Sequence, residues 1–242
     1  LTAVTVGALV LAFDAGRSLL QTPLLLGLLA LALLPASEMA FSVVNGLVVA
    51  LVPPRLLPRM EFIKGIPKDC RTLVVVPTLI DSPSSIDALI EGLEIRSLAN
   101  LDDNLGFALV TDFVDCETEH CEADDALVER TIAGVAALNA KYGGSDEHRY
   151  ILFHRPRLYN ASEHCWMGRE RKRGKLEDLN LLLRNKGETT FSVVTAPRDV
   201  LDMFKYVITL DTDTELPRDT ARRLVEAIAH PLNSPHLDAD RR

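Results

Sequence analysis

The first sixty residues carry only five charges, Asp14, Arg17, Glu38, Arg55 and Arg59, and this splits the chain into two unlike parts. Whatever residues 1–60 fold into must accommodate a nearly uninterrupted apolar surface. Residues 1–13 are almost wholly apolar. A polar break follows at Asp14, Gly16 and Arg17, and residues 19–34 are again apolar except for Gln21 and Thr22. A helix needs about 20 mostly apolar residues, rising about 1.5 Å each, to cross a bilayer. Residues 1–13 therefore read as part of a spanning helix, and residues 19–36 as a segment just long enough to span. Pro35-Ala36-Ser37-Glu38 is expected to interrupt that segment, leaving residues 39–52 as a third run of interfacial length. The opening run has neither the basic region nor the small-residue cleavage site of a secretory signal. A helical hairpin buried in a soluble protein is the competing reading. The chain opens inside an apolar run and stops at Arg241-Arg242 without a closing element, so it reads as a fragment of something longer.

Pro53-Pro54 ends the apolar part, and Arg55, Arg59, Lys64, Lys68 and Arg71 follow. Excess Lys and Arg beside a membrane segment marks the cytoplasmic side. Residues 61–242 are thus expected to form a cytosolic domain, with Cys70, Cys116, Cys121 and Cys165 as reduced thiols. The chain holds 26 Lys and Arg against 34 Asp and Glu, a net charge of −8. That balance argues against a nucleic-acid binder, whose affinity comes from clustered cations on phosphates.

Beyond Asp69 short apolar runs alternate with helical patterns. Residues 72–76 (TLVVV) have the continuous apolar form of a strand buried on both faces, with Pro77 ending it. Ser84 or Ser85 is placed to cap a helix reaching about Asn100. Residues 106–110 predict a second strand running into Thr111-Asp112. Residues 124–142 predict a helix closed by Gly143-Gly144, and residues 150–153 a third strand. Residues 176–184 predict a short helix, 206–210 (YVITL) a fourth strand and 219–229 a last helix. Alternating β and α units imply an α/β fold with a mostly parallel sheet, helices on both faces and ligands at the carboxyl ends of strands.

Polar groups gather at four such ends: Pro77-Thr78, Asp112, the stretch from His154 to Asn180, and Asp211-Thr212-Asp213. Two carboxylates just past a buried strand suit a hard divalent cation that keeps substrate phosphates in its shell. The same residues would also serve as an ordinary polar turn before a helix. Five of the seven residues 169–175 are cationic, in a domain otherwise acidic. Gly174-Lys175, read as a helix start, would turn an ammonium and free N–H groups toward an anion, whereas a solvated charged turn is the plainer reading. No Walker-type G-x-x-x-x-G-K-[ST] occurs. Cys116, His120 and Cys121 read as an acidic surface loop rather than metal ligands, for want of a second matching pair. Trp166 is open to stacking on a sugar or to core packing, and His154 reads as a hydrogen-bonded strand-end residue.

The blocks FHRPRLYN, WMGRERKRGKLEDLN, YVITLDTDTELPRD and AHPLNSP, in that order, resemble the glycosyltransferase domain of cyclic β-1,2-glucan synthases, very large bacterial inner-membrane enzymes. LPRMEFIKGIPKDCRTLVVVPTL, NLGFALVTDF and the PASE-containing stretch are similar to the same family, so the resemblance spans roughly residues 20–242. It implies a GT-A-like (Rossmann-like) fold using UDP-glucose, a transferase domain facing the cytoplasm, and growing β-1,2-glucan and the rest of a longer polypeptide as partners. It assigns Asp211 and Asp213 to a divalent cation (Mg²⁺ or Mn²⁺) and the diphosphate. Pro77, Thr78 and Asp112 would border the uridine, and Lys175 and Asn180 the diphosphate and ribose. Inversion from an α-linked donor to a β-linked product implies one in-line displacement, with a general base on the acceptor hydroxyl. The Thr-Glu-Asp and Gln-x-x-Arg-Trp segments of related transferases do not occur in residues 1–242, so the base is expected beyond Arg242 and these residues to be inactive alone. A membrane-anchored nucleotide-sugar-binding or regulatory module without catalysis is the alternative. A haloacid-dehalogenase-type phosphatase fits the Asp-x-Asp strand less well, because Glu215 stands where that motif takes Thr or Val.

Overall fold

The computed structural model describes residues 22–54, 56–143 and 148–234. The chain divides into two compact units, residues 1–56 and 57–242, each taken by itself below. The apolar run over residues 1–13 lies outside the described residues.

In the first unit, helix α1 (Thr22–Leu51) runs unbroken for 30 residues with Pro35 inside it. The interruption expected at residues 35–38 is absent, and the separate interfacial run expected over 39–52 is the second half of the same helix. A proline removes only one backbone bond, and a helix in apolar surroundings can re-satisfy the freed carbonyl locally. Residues Ala30–Leu51 are long and apolar enough to cross a membrane, and only 6% of that stretch is buried.

The second unit is built on a five-stranded sheet. In chain order its strands are β1 (Thr72–Ile80), β2 (Leu105–Phe113), β3 (Tyr150–Arg155), β6 (Val193–Val194) and β7 (Tyr206–Thr209). Their spatial order is β6-β3-β2-β1-β7, all parallel except β6. A small antiparallel hairpin, β4 (Leu158–Asn160) with β5 (Cys165–Met167), stands beside it. The helices are α2 (Pro83–Ala99), α3 (Asp124–Tyr142), α4 (Arg171–Leu183), α5 (Arg198–Leu201) and α6 (Thr220–Ile228). The expected α/β fold, mostly parallel with helices on both faces, is what the chain forms. Val74, Val76, Phe107 and Leu109 face a core with Leu93 of α2, Val135 of α3 and Val225 of α6. Their neighbours Leu73, Val75, Ala108 and Val110 face the other, with Leu179 of α4 and Val200 of α5. Period-2 alternation between two buried faces is why these strands read as continuous apolar runs.

Several boundaries differ from expectation for physical reasons. β1 does not stop at Pro77 but runs three residues further, paired to β2 throughout. Val75 is β1's last residue paired with β7, its carbonyl accepting from Leu210 N. Residues two apart in a strand face the same neighbour, so Pro77's missing N–H faces the side where β7 has ended. α2 is capped by Ser82, not Ser84 or Ser85: Pro83 takes the first helical position, where no N–H is needed, and Ser82 and Ser85 form a reciprocal capping box. α4 begins at Arg171, five residues before the expected start. The strands β4, β5 and β6 and the helix α5 are two to four residues long, too short to show a period.

The chain advances outward from β1 to β2 to β3, then returns to place β7 on the opposite side of β1. The sheet reverses its winding between β1 and β7, and crevices form outside the carboxyl ends of strands at such a point.

Candidate functional site

A cleft of about 400 Å³ opens there, bordered by Pro77, Thr78, Asp112, Lys172, Lys175 and Thr212 among others. Its floor is an ionic knot that excludes solvent. Parallel register sets Asp112 on β2 directly opposite Arg155 on β3. Arg155 Nε and Nη2 reach the two Asp112 oxygens at 2.8 and 3.0 Å, a bidentate pair, while Nη1 reaches Asp178 Oδ2 of α4 at 3.0 Å. The remaining donor capacity of Nη2 goes to the carbonyls of Arg169 and Arg171. Lys175 Nζ lies 3.1 Å from Asp112 Oδ2 and donates to the Thr78 carbonyl, tying α4 to β1. Asp112, Arg155, Lys175 and Asp178 are each at most 2% exposed. Buried charges persist only when paired and hydrogen-bonded, and each of these is. Burial pushes the Lys175 ammonium below its ordinary range, with Asp112 opposing the shift. Two glycines make the knot possible. A Cβ on Gly168 would stand 2.4 Å from Asp112 Oδ2, and one on Gly174 only 2.2 Å from the Arg169 carbonyl.

His154 follows on the same strand end. Its Nδ1 lies 2.9 Å from Thr111 Oγ1, the Phe113 ring meets its ring edge-on at 4.4 Å, and its Nε2 has no hydrogen-bond partner. Burial holds the imidazole neutral, lowering its pKa to about 4.

The opposite wall differs. Residues 211–215 follow β7 and the buried Leu210 after it, and all five are exposed. Lys172, in the first turn of α4, spans the cleft to form an ion pair with Asp211. Next to it Arg171 pairs with Asp115 at 2.8 Å and with Glu163 at 3.3 Å. The basic run therefore divides between the interior and the surface. Lys175 is buried in the knot, Lys172 and Arg171 are paired across the cleft mouth, and Arg173 is largely exposed.

The structure thus brings Pro77, Thr78, Asp112 and Lys175 together around one cleft, with Thr212 between the two expected carboxylates on its rim. Asp211 reaches that cleft through Lys172, whereas Asp213 borders a second cavity of about 420 Å³ beside α2, which also touches Thr212. Asn180 is exposed, further along α4, and does not border the cleft. Cys116 and Cys121 are half-buried thiols, and hydrogen bonds from Cys121 and Thr118 lower Cys116 to about 7. Trp166 is half-buried on β5, tilted against Tyr159 at 5.6 Å. Among the described residues no group of three or more His, Cys, Asp or Glu gathers as a ready metal site. Asp211 and Asp213 carry exposed carboxylates of the type a hard cation takes, and a cation there would displace the Lys172 ammonium from Asp211. Arg155 and Asp178 went unnoticed in the sequence. The available signal was a charged residue closing the apolar run YILFH, one strand away from another at Asp112.

An open α/β sheet, with a charged crevice at its switch point, defines a class of ligand-binding proteins rather than one activity. No family model matches the chain. It is 44% identical over 202 residues to the curated cyclic beta-(1,2)-glucan synthase NdvB of Rhizobium meliloti, a match covering 84% of this chain. On that likeness the chain belongs to the cyclic β-1,2-glucan synthase family, as its sequence blocks imply, and it spans 7% of that relative's length.

Proposed function

We propose that residues 57–242 form the donor side of an inverting glucosyltransferase that draws on UDP-glucose to extend β-1,2-glucan, with α1 as its anchor in a bacterial inner membrane. The observation that carries this reading is the cleft itself: a rigid, charge-balanced floor and the basic first turn of α4 on one side, an exposed Asp-Thr-Asp loop on the other. The relative's name supplies the polymer. Inversion takes a single in-line displacement at the anomeric carbon, with the nucleoside diphosphate leaving. Lys172 and Arg171 border the space where the diphosphate would lie, and Thr78 and Pro77 line the wall where a base would rest. A divalent cation, Mg²⁺ or Mn²⁺, held by Asp211 and Asp213 would offset the charge of the departing diphosphate. Asp112, Lys175 and Asp178 keep the floor fixed and dry, because each is at most 2% exposed and paired within the knot. The loop carboxylates have their part in holding the cation, so no residue here is assigned as the general base, and the 242 residues bind donor without turning it over. The basic residues after α1, Arg59, Lys64, Lys68 and Arg71, favour a cytoplasmic transferase.

The test is calorimetric titration of UDP-glucose into the full chain in detergent micelles, with and without Mn²⁺. Binding should require the cation and disappear in Asp213→Asn. Cation-independent binding, or an unaffected Asp213→Asn, would overturn the reading. A measured glucosyl transfer rate would overturn the statement that these residues are inactive alone. Hydrolysis of a generic phosphate ester would point to a phosphatase instead.

A further inference from the structure

The acidic loop is exposed, yet its backbone is held from behind at three points. At its start Leu210 N donates to the Val75 carbonyl at 2.9 Å. At its end the side chain of Asn100, the residue that caps α2, donates to the Leu216 carbonyl at 3.1 Å and accepts from Ala221 N at 3.0 Å. The backbone of the middle is held by Arg96, while Lys172 pairs with the Asp211 side chain. Its Nη2 donates to the Thr212 carbonyl at 2.6 Å and to the Thr214 carbonyl at 3.0 Å, and its Nε to Thr214 at 3.2 Å. Those two carbonyls flank Asp213. Gly92, one turn earlier on α2, leaves room for this contact: a Cβ there would stand 2.8 Å from Arg96 Nη1.

We infer that Arg96 is a positioning residue for the acidic loop, its guanidinium clamping the carbonyls on either side of Asp213 and so setting where the two carboxylates stand. This rests on the cation-binding reading above and adds to it the element that preorganises the loop. A forked, planar guanidinium can hold two carbonyls in a fixed relation, which one ammonium cannot. Chelation by two carboxylates on a five-residue exposed loop is costly unless the backbone is already ordered. The sign of the effect separates this role from simple electrostatics. Arg96 is a positive charge near a cation site, so if it acted only through its field, removing it would strengthen cation binding. If it positions the loop, removing it weakens binding.

The experiment follows Mn²⁺ binding to the full chain in micelles by electron paramagnetic resonance, with and without UDP. Hydrogen exchange of the amides of residues 211–216 is read in parallel. Arg96→Ala should weaken Mn²⁺ binding by about 10- to 100-fold, the range seen when a residue supporting metal ligands is lost. It should also raise exchange across the loop, with both effects largely reversed by millimolar guanidinium ion. Arg96→Lys should behave like Arg96→Ala. Gly92→Ala keeps the charge, favours the helix and crowds only the end of the Arg96 side chain, so it should weaken Mn²⁺ binding while the fold is retained. If wild type binds Mn²⁺ and Arg96→Ala binds it equally or more tightly, the inference falls and the cation-binding reading stands. If wild type binds no Mn²⁺ with or without UDP, that reading falls and takes this one with it.

Discussion

The two walls of the cleft carry similar charges and treat them in opposite ways. On the floor Asp112, Arg155, Asp178 and Lys175 are dry and bound to each other through at least one short contact each. On the rim Asp211 and Asp213 stand in water, Asp211 with its side chain 58% exposed and a single lysine for a partner. Water-facing charges contribute little to folding and stay available to a ligand. Desolvated ones are costly to separate and are consumed in holding β1, β2, β3 and α4 in register. The division gives one crevice a rigid, dry floor and a solvent-facing rim.

The largest expected effect is on the floor. Asp112→Ala strands Arg155 and Lys175 in a dry site and should cost about 3–5 kcal/mol, read as the shift in the urea unfolding midpoint. A cost below about 1 kcal/mol would mean that the knot is wet and that the contrast between the walls is false.

Acidity gives the next effect. The folded pKa of His154 is depressed from 6.5 to about 4, so folding favours the neutral ring. The unfolded chain then binds the extra proton between those values. The stability that His154 contributes is complete above pH about 6.5 and is lost as pH falls toward 4, amounting to roughly 3 kcal/mol. Urea midpoints at pH 7.5 and 4.5 measure it, and His154→Gln should flatten that part of the difference. An unchanged profile in the variant would show that the ring titrates freely in the fold.

Steric closeness ranks third. Gly168→Ala would drive a methyl into the Asp112 carboxylate, at an expected cost of about 1–3 kcal/mol as the knot yields. The smallest stability effect is on the rim, where Asp211→Asn and Asp213→Asn should leave unfolding within about 0.5 kcal/mol of wild type. Their expected loss is in cation affinity instead. A large destabilisation from either would make the loop a structural part of the fold and sharpen the question of what α2 holds in place.

What could be read in the sequence follows the same division. The rim was legible because Asp-Thr-Asp after YVITL is a local pattern: an apolar strand, then two carboxylates at its end. The α/β alternation and the bounds of α3 were legible for the same reason. The floor was not, because Asp112, Arg155 and Asp178 are spread over 67 positions of the chain and meet only through parallel strand register and the return of α4. Lys175 stands out in the sequence for its charge but not for its place: the helix begins at Arg171, not at Gly174-Lys175, and the lysine is buried at the cleft floor. Pro35 misled in the other direction. A proline breaks a helix in water more readily than in an apolar setting, where no other local structure satisfies the backbone.

By itself the sequence determined the apolar first segment, the parallel α/β plan, the acidic loop and the family, because each is written in neighbouring residues. The tertiary structure decided which charges are spent on the fold and which face the cleft. It also decided that Arg96, unremarkable in a helix of ordinary composition, stands behind the two carboxylates. Burial and long-range pairing depend on which distant segments meet, and a one-dimensional pattern does not encode that directly.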